Sequence, residues 1–190
     1  IITSFCPKLP KTKPSNLRLK VLLDCSGSMA GDSMKQARVA LKHLFKKLNE
    51  EDSFAYTRFG SSLDRVTKKM TMAYSERIQS LLSTIDKTEA DLGGTELGMA
   101  MTDVFNMNAN GKPRNSPEVT DSADVLLITD GDVWNIENIL ASARISGHRV
   151  YTIGVGSAPA ESLLRELAKD TGGSCEFVTP SEDMRSAVDR

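Results

Sequence analysis

The sequence predicts an α/β fold with three layers, in which helices cover both faces of a central, mostly parallel β-sheet. Short β-rich runs alternate with glycine- or serine-marked turns and stretches of helical period along the 190 residues, an alternation typical of parallel sheets. The runs 21–23 and 125–128 are almost wholly apolar, as expected of central strands buried on both faces. An apolar content of 39% at this length supports one domain.

The predicted sheet has about six strands, one of them antiparallel at an edge. The strands are predicted at residues 17–24, 53–59, 63–67, 124–129, 149–155 and 174–178. The strands at 17–24 and 124–129 contain the two apolar runs and are placed centrally. The piece at 63–67 follows the turn Gly60-Ser61-Ser62, so we expect it to fold back on the preceding strand as a hairpin partner.

Helices are predicted between these strands, at residues 32–49, 75–86, 95–106, 135–146 and 159–170. The first has apolar residues at helical spacing, among them Met34, Ala37 and Leu41. Pro159 suits a first helical position and Gly172 suits a helix end. A capping-box spacing at 179–182 predicts a last helix running toward Arg190, and the glycine- and proline-containing stretch 108–121 is predicted to be a surface loop.

Composition and charge exclude several classes of protein. The formal net charge is −1, so the chain lacks the basic excess of nucleic-acid-binding proteins. The basic stripe Lys35, Arg38, Lys42 and Lys46 has no interleaved aromatic residues, and we interpret it as a solvated helix face. The three cysteines form no CxxC pair, which disfavours a zinc site or a disulfide framework. The apolar runs fall well short of the roughly 20 residues that span a bilayer, so we predict no membrane insertion.

We assign residues 1–16 to a lead-in and residues 17–190 to the domain. The lead-in contains Pro7, Pro10, Pro14 and several lysines, a composition typical of linkers. The chain opens on Ile1 and shows no signal-peptide pattern, and we expect the parent protein to extend in both directions. Neither the oligomeric state nor a cytoplasmic or extracellular location follows from the sequence.

Polar side chains cluster where the first central strand ends. Asp24, Ser26 and Ser28 lie two residues apart, so an extended or gently looped backbone aims all three in one direction while Cys25 turns toward the core. Ligands of open α/β sheets bind at the carboxyl ends of strands, where the strand order reverses. We therefore expect these three side chains at a ligand-binding edge.

Two further oxygen-bearing side chains are predicted at the same edge. Asp130 follows the second central strand, and Thr95 follows the glycine pair Gly93-Gly94, which allows a tight turn before a helix. Two carboxylates and three hydroxyls form an all-oxygen set, which selects hard cations. Mg²⁺ fits best, with Mn²⁺ or Ca²⁺ as alternatives, because few carboxylates and retained waters suit its octahedral shell. A water position then stays open for the carboxylate of a partner's Asp or Glu.

These residues resemble the metal-ion-dependent adhesion site (MIDAS) of von Willebrand factor A (vWA) domains, complete and in order. The resemblance rests on Asp24-x-Ser26-x-Ser28, on Thr95 behind Gly93-Gly94, and on Thr129-Asp130-Gly131, and it covers roughly residues 17–190. A narrower resemblance, to the A domains that follow a vault/inter-alpha-trypsin (VIT) domain, rests on Phe5-x-Pro7-Lys8, Phe59-Gly60-Ser61 and the segments 90–96 and 175–178.

The resemblance implies a Rossmann-like sheet of about six strands between helices, non-enzymatic protein binding, and a metal whose coordination changes with helix movement. It also implies that Ser26 and Ser28 contact the ion directly, while Asp24, Thr95 and Asp130 contact it directly or through water. Adhesive members of the family act outside cells and VIT-linked members in both settings, so the resemblance leaves the compartment open.

Other interpretations stay open at this point. Asp24, Ser26 and Ser28 are also residue types that cap helices, and Thr95 suits the N-cap of the helix it precedes. A metal-independent scaffold, which binds by the shape of its loops, is the main alternative function. A metal-dependent phosphohydrolase is disfavoured, because Ser26 replaces the second aspartate of a phosphotransfer DxD motif and the sequence has no GxSxG or GxxxxGK[ST] motif.

Residues near the predicted site are expected to have minor roles. Asp91, Glu96 and Asp132 are predicted on its rim, chiefly as solvated residues, and Trp134 is predicted to pack beneath the helix that follows it. His43 and His148 have no ligand-spaced companion, and we assign them no function.

Overall fold

The computed structural model describes residues 16–107, 122–130, 136–156, 160–178 and 184–189. The strands in this part of the chain are β1 (Arg18–Asp24), β2 (Ser53–Phe59), β3 (Leu63–Arg65), β4 (Thr71–Met72), β5 (Asp124–Thr129), β6 (Arg149–Val155) and β7 (Cys175–Val178). They form one sheet in the order β3-β2-β1-β5-β6-β7, and β4 also pairs with β2. The pairings are parallel except those of β3 and β4, which run antiparallel to β2.

Helices cover both faces of this sheet. They are α1 (Asp32–Lys46), α2 (Ser75–Asp86), α3 (Leu97–Asn106), α4 (Ile136–Ser146), α5 (Glu161–Thr171) and α6 (Met184–Asp189). The buried residues of α1, α2 and α6 share one apolar cluster, and those of α3, α4 and α5 share another. Strand β1 lies between the two, since Val21 and Leu23 belong to the first cluster and Leu22 to the second. The predicted three-layer α/β fold is confirmed.

The structure adds one strand to the prediction and shortens the first helix. Strand β4 was not predicted, because two residues are too few for a periodic signal. Helix α1 ends at Lys46, three residues before the predicted Asn49. Here the Asp52 carboxylate accepts the Asn49 amide at 2.7 Å, which fixes a turn into β2. The predicted loop at 108–121, Pro159 and the capping box at 179–182 lie outside the described residues.

Two residues of the basic stripe on α1 form ion pairs with other parts of the chain. Arg38 forms an ion pair with Glu89 at 2.8 Å, and Lys42 forms one with Asp86, the last residue of α2, at 2.6 Å. These pairs connect α1 to the end of α2. Arg38 and Lys42 are therefore partly covered by surface ion pairs, whereas Lys35 and Lys46 are exposed on the helix face, as predicted.

Strand order reverses between β1 and β5. The strand after β1 in the chain, β2, lies on one side of it, and the next parallel strand, β5, lies on the other. Leu23 is aligned with Ile128 in the β1–β5 pair, so Asp24 and Thr129 are neighbours at the carboxyl edge. This is the ligand-binding position of open α/β sheets. No helix in the described part of the chain has the length and apolar character needed to span a bilayer.

Candidate metal site

The first carboxylate of the candidate site is Asp24, which ends β1 and is fully buried. One of its oxygens accepts the backbone amide of Ser26 at 2.8 Å, and the other accepts the hydroxyl of Thr129 from the end of β5. A 3-10 turn over Gly27–Met29 follows. The Cys25 side chain is buried in the core, as predicted. This apolar anchor holds the loop so that the polar side chains on either side of it stay at the sheet edge.

Hydrogen bonds join Ser26, Ser28 and Asp130 side chain to side chain. The Ser28 hydroxyl donates to the Asp130 carboxylate at 2.8 Å, and the hydroxyl oxygens of Ser26 and Ser28 are 3.1 Å apart. A serine hydroxyl has only one proton to donate. Because Ser28 donates its proton to Asp130, Ser26 is the donor in the second bond. The segments that follow β1 and β5 therefore share one polar network.

Thr95, the fifth predicted ligand, lies on a loop that is bonded to the loop after β1. Gly27 donates its amide to the Gly93 carbonyl at 2.8 Å, and Leu92 donates to the Cys25 carbonyl at 2.9 Å. Gly93 has a φ of 79°, a left-handed conformation that glycine adopts without strain. The Thr95 side chain is partly buried. Among the described residues, no hydrogen bond joins its hydroxyl to the other four side chains. The structure therefore connects Ser26, Ser28 and Asp130 through their side chains, joins Asp24 to them through the Ser26 amide, and places Thr95 on a loop bonded to the loop after β1.

Burial raises the pKa of both carboxyl groups. The pKa of Asp24 is raised chiefly by desolvation, although hydrogen bonds from Ser26 and Thr129 oppose the shift. Desolvation also raises the pKa of Asp130, and the nearby charge of Asp24 adds to it. Among the described residues neither carboxylate forms an ion pair. A divalent cation between them would stabilise the charged forms of both.

The helix-capping interpretations do not hold. Helix α1 has Gly31 as its N-cap and no side-chain cap hydrogen bond, so Asp24, Ser26 and Ser28 do not cap it. Helix α3 begins at Leu97 with Glu96 as its N-cap, two residues later than predicted, which removes the capping role of Thr95. The local alternative holds in part, because Asp24 satisfies the Ser26 amide in the turn after β1. Ser26 is the N-cap residue of the 3-10 turn, without a side-chain cap hydrogen bond.

Three residues close to the site were not assigned roles from the sequence. Thr129 donates to Asp24, and the in-register pairing of two strand ends was the signal that could have identified it. Arg58, whose side chain is 14% exposed, donates to the Asp91 carboxylate and to the Glu89 carbonyl. Ser61 accepts the amide of Gly94 at 2.7 Å.

The remaining predictions near the site have mixed outcomes. Asp91 and Glu96 are exposed on the loop before α3, whereas Asp132 and Trp134 lie outside the described residues. His43 bonds to Asp189 at 2.9 Å, and His148 lies buried beside Lys20. The described residues contain no group of three or more His, Cys, Asp or Glu that could hold a metal ion. A site built on Asp24 and Asp130 would therefore need oxygen ligands of other kinds, such as the neighbouring hydroxyls.

Comparison with known proteins identifies the family. The sequence model of the von Willebrand factor type A domain matches residues 19–189. A von Willebrand factor A domain-containing protein of Dictyostelium discoideum is 29% identical over 191 residues, covering 97% of this chain and 20% of that protein. Human von Willebrand factor A domain-containing protein 5A is 27% identical over 199 residues, covering 97% of this chain and 24% of that protein. The chain spans about a fifth to a quarter of these relatives.

Solved structures share the fold. The von Willebrand factor type A structure from Catenulispora acidiphila has a TM-score of 0.75 at 20% identity, covering 92% of this chain and 42% of that chain. Proximal thread matrix protein 1 from the mussel byssus, with a zinc-occupied MIDAS motif, has a TM-score of 0.67 at 16% identity, covering 91% of this chain and 44% of that chain. At these identities the likeness concerns the fold alone.

Proposed function

We propose that this chain, which belongs to the von Willebrand factor type A domain family, binds one divalent cation and uses it to hold a protein partner. The proposed ligands are Asp24, Ser26, Ser28, Thr95 and Asp130. Domains of this family are generally non-enzymatic protein-interaction modules. We therefore propose binding without turnover as the activity of the site.

The observation that carries the proposal is an uncompensated pair of carboxylates within a network of hydroxyls. Asp24 accepts the Ser26 amide and the Thr129 hydroxyl. The hydroxyls of Ser26 and Ser28 continue from there to Asp130. Burying a carboxylate is costly unless it is paired or coordinates a metal. Because the described residues supply no cationic partner, a bound cation is the arrangement that best accounts for the buried charge.

The chemistry of the donors favours Mg²⁺. The five side chains offer only oxygen, and hard cations prefer oxygen ligands. Two carboxylates neutralise a divalent ion, while three weakly donating hydroxyls leave room for water in an octahedral shell. Zinc prefers nitrogen and sulfur ligands, yet the zinc-occupied MIDAS motif of the mussel protein makes Zn²⁺ a necessary comparison in any binding experiment.

The proposed partner group is a carboxylate. A metal with weak hydroxyl ligands remains a good Lewis acid, so an Asp or Glu of a partner gains a metal bond when it replaces a water. Such a contact is directional, because the open coordination position is set by the protein ligands. Residues on the partner around its acidic side chain would supply the rest of the interface.

Thermal unfolding in the presence and absence of metal tests the metal site. At a hundredfold excess over the dissociation constant, Mg²⁺ should stabilise the domain by about 2.7 kcal/mol. Asp130→Ala should abolish this shift, whereas Glu51→Ala, which removes an exposed carboxylate outside the proposed ligand set, should retain it. An unchanged melting curve with Mg²⁺, Mn²⁺, Ca²⁺ and Zn²⁺ would falsify the proposal.

Peptide selection tests the partner chemistry and separates it from a metal-independent scaffold. A random-peptide phage library is bound to the Mg²⁺-loaded domain and eluted with EDTA. Enriched peptides should share an acidic residue, and replacing it by Asn or Gln should abolish binding. If the best binders resist EDTA and bind the Asp24→Ala domain equally well, the scaffold function is correct instead.

The relation to a longer parent protein is also a proposal. The lead-in at 1–16 and the resemblance to VIT-linked A domains suggest a domain that follows another folded unit. The low share of each relative that the chain covers agrees with this view. Limited proteolysis of the full-length parent, with cleavage expected within residues 1–16, is the measurement that checks it.

A further inference from the structure

The loop that carries Thr95 is held from two sides. On one side it bonds to the loop after β1, through the amides of Gly27 and Leu92 described above. On the other side it bonds to the turn after β2, where Ser61 donates its amide to the Leu92 carbonyl at 2.7 Å and Gly60 accepts the Glu96 amide at 3.0 Å. Strand β2 contributes none of the five proposed ligands, but its turn contacts the segment that contributes Thr95.

One of these contacts depends on a side chain. The Ser61 hydroxyl accepts the amide of Gly94 at 2.7 Å, and Gly94 immediately precedes Thr95. The amides on both sides of Thr95 are therefore fixed by the turn after β2, one by the Gly60 carbonyl and one by the Ser61 hydroxyl. The backbone bonds do not depend on the side chain at position 61, provided that it is not proline. The Ser61 hydroxyl is therefore the part of these contacts that a side-chain substitution removes.

The turn at Gly60 and Ser61 packs tightly against the loop that carries Thr95. A Cβ on Gly60 would lie 2.4 Å from the Leu92 carbonyl oxygen, and a Cβ on Gly93 would lie 2.9 Å from the Ser61 hydroxyl oxygen. Only glycine permits these approaches without displacement of the backbone. The close fit sets the path of the chain into Thr95.

We propose that Ser61 is a positioning residue for the metal site, which fixes the Thr95 hydroxyl through the Gly94 amide and so sets the affinity for the cation. This inference rests on the proposed metal-binding function. Partners that orient metal ligands typically change metal affinity by about 10- to 100-fold when they are removed. The Ser61 hydrogen bond is solvent-exposed, so its loss should affect the stability of the metal-free fold only slightly.

Calorimetric titration of Mg²⁺ into the wild-type chain and three variants tests the inference. Ser61→Ala should raise the Kd about tenfold, while Ser61→Thr, which keeps the hydroxyl, should stay close to wild type. Ser62→Ala is the matched control, because the neighbouring serine uses its backbone carbonyl to accept the Gly60 amide. The Tm of each metal-free variant should lie within about 2 °C of wild type, less than the shift that 1 kcal/mol gives in a chain of this size.

The outcomes separate this inference from the proposed function. If wild type binds no metal, both fail. If wild type binds and Ser61→Ala binds equally well, only the inference is overturned. Equal weakening by Ser61→Ala and Ser61→Thr, or a fall in the metal-free Tm large enough to account for the weaker binding, also overturns it, because the hydroxyl would then have no role specific to the metal site.

Discussion

Carboxylates occur at both ends of the parallel strands. Those at the amino end accept hydrogen bonds from backbone amides or from an arginine side chain. Asp52, which precedes β2 and is 8% exposed, accepts the amides of Leu17 at 2.8 Å and Asn49 at 2.7 Å. Asp124, the first residue of β5, accepts two guanidinium N–H groups of Arg149 at 2.7 and 2.8 Å. Each of these carboxylates therefore stabilises local structure directly.

The carboxylates at the other end differ in their surroundings. Asp24 and Asp130 accept hydroxyls and backbone amides, form no ion pair among the described residues, and have raised pKa values. A chain selected only for stability would gain little from such a pair. We interpret the amino-end carboxylates as part of the fold's own hydrogen bonding, and the carboxyl-end pair as the proposed metal ligands. Substitutions at three positions test this comparison.

The largest effect is expected at the amino end, from Asp52→Ala. This change leaves two amides without their acceptor and should lower the free energy of unfolding by about 2 kcal/mol, measured by urea denaturation. Asp52→Asn, which keeps one acceptor oxygen, should lose less. Both variants should keep the full Mg²⁺-induced shift, and a lost Mg²⁺ response would show that the two ends are not independent.

A smaller effect of opposite sign is expected from Asp24→Asn. The amide can accept from Ser26 and donate to Thr129, and it removes a buried charge, so the metal-free domain should gain on the order of 1 kcal/mol at pH 7. The Mg²⁺ response should disappear. Destabilisation of the metal-free variant at pH 7 would contradict this account of the site.

The pH dependence of the same variant has a defined sign. Because the pKa of Asp24 is raised from 3.8 in the folded chain, the folded state holds this proton more tightly than the unfolded state does. The stabilisation from this proton is present below pH 3.8 and is lost as the pH rises through the raised pKa. Metal-free wild type should therefore lose stability relative to Asp24→Asn across this window, in urea titrations at several pH values.

The smallest effect is expected from Arg149→Ala. The arginine side chain is 59% exposed, and exposed ion pairs contribute roughly 0.2–1 kcal/mol even when their geometry is good. We expect a loss of roughly 0.5 kcal/mol that shrinks further in high salt, with an unchanged Mg²⁺ response. A fall in the free energy of unfolding of more than about 2 kcal/mol would mean that Arg149 contributes more to stability than an exposed ion pair does.

Local sequence signals were sufficient for most of the fold. The bounds predicted for β2, α2, β5 and β6 agree with the structure, because each has an apolar pattern with clear turn residues on both sides. Strand β4 lacks such a pattern and pairs with β2 only through tertiary structure. The end of α1 depends on the Asp52 side chain, which lies beyond the helix and has no periodic signal.

The site was predictable to the extent that it depends on strand ends. Asp24 and Asp130 follow apolar strands, and the strand-order reversal brings them together. The contributions of Ser61 and Arg58 could not be predicted, because each acts through contact with a loop about 30 residues further along the chain. Such pairings depend on how two loops meet in space, and a single sequence contains no local pattern for them.

The buried thiol of Cys25 has a consequence for the durability of the loop after β1. Burial raises the pKa of this thiol to about 11, so at neutral pH only about one molecule in ten thousand carries the thiolate, which is the reactive form. Peroxide, disulfides and alkylating agents all require that form. Cys25, which lies between two of the proposed ligands and is fully buried, should therefore react slowly with such reagents in the folded chain.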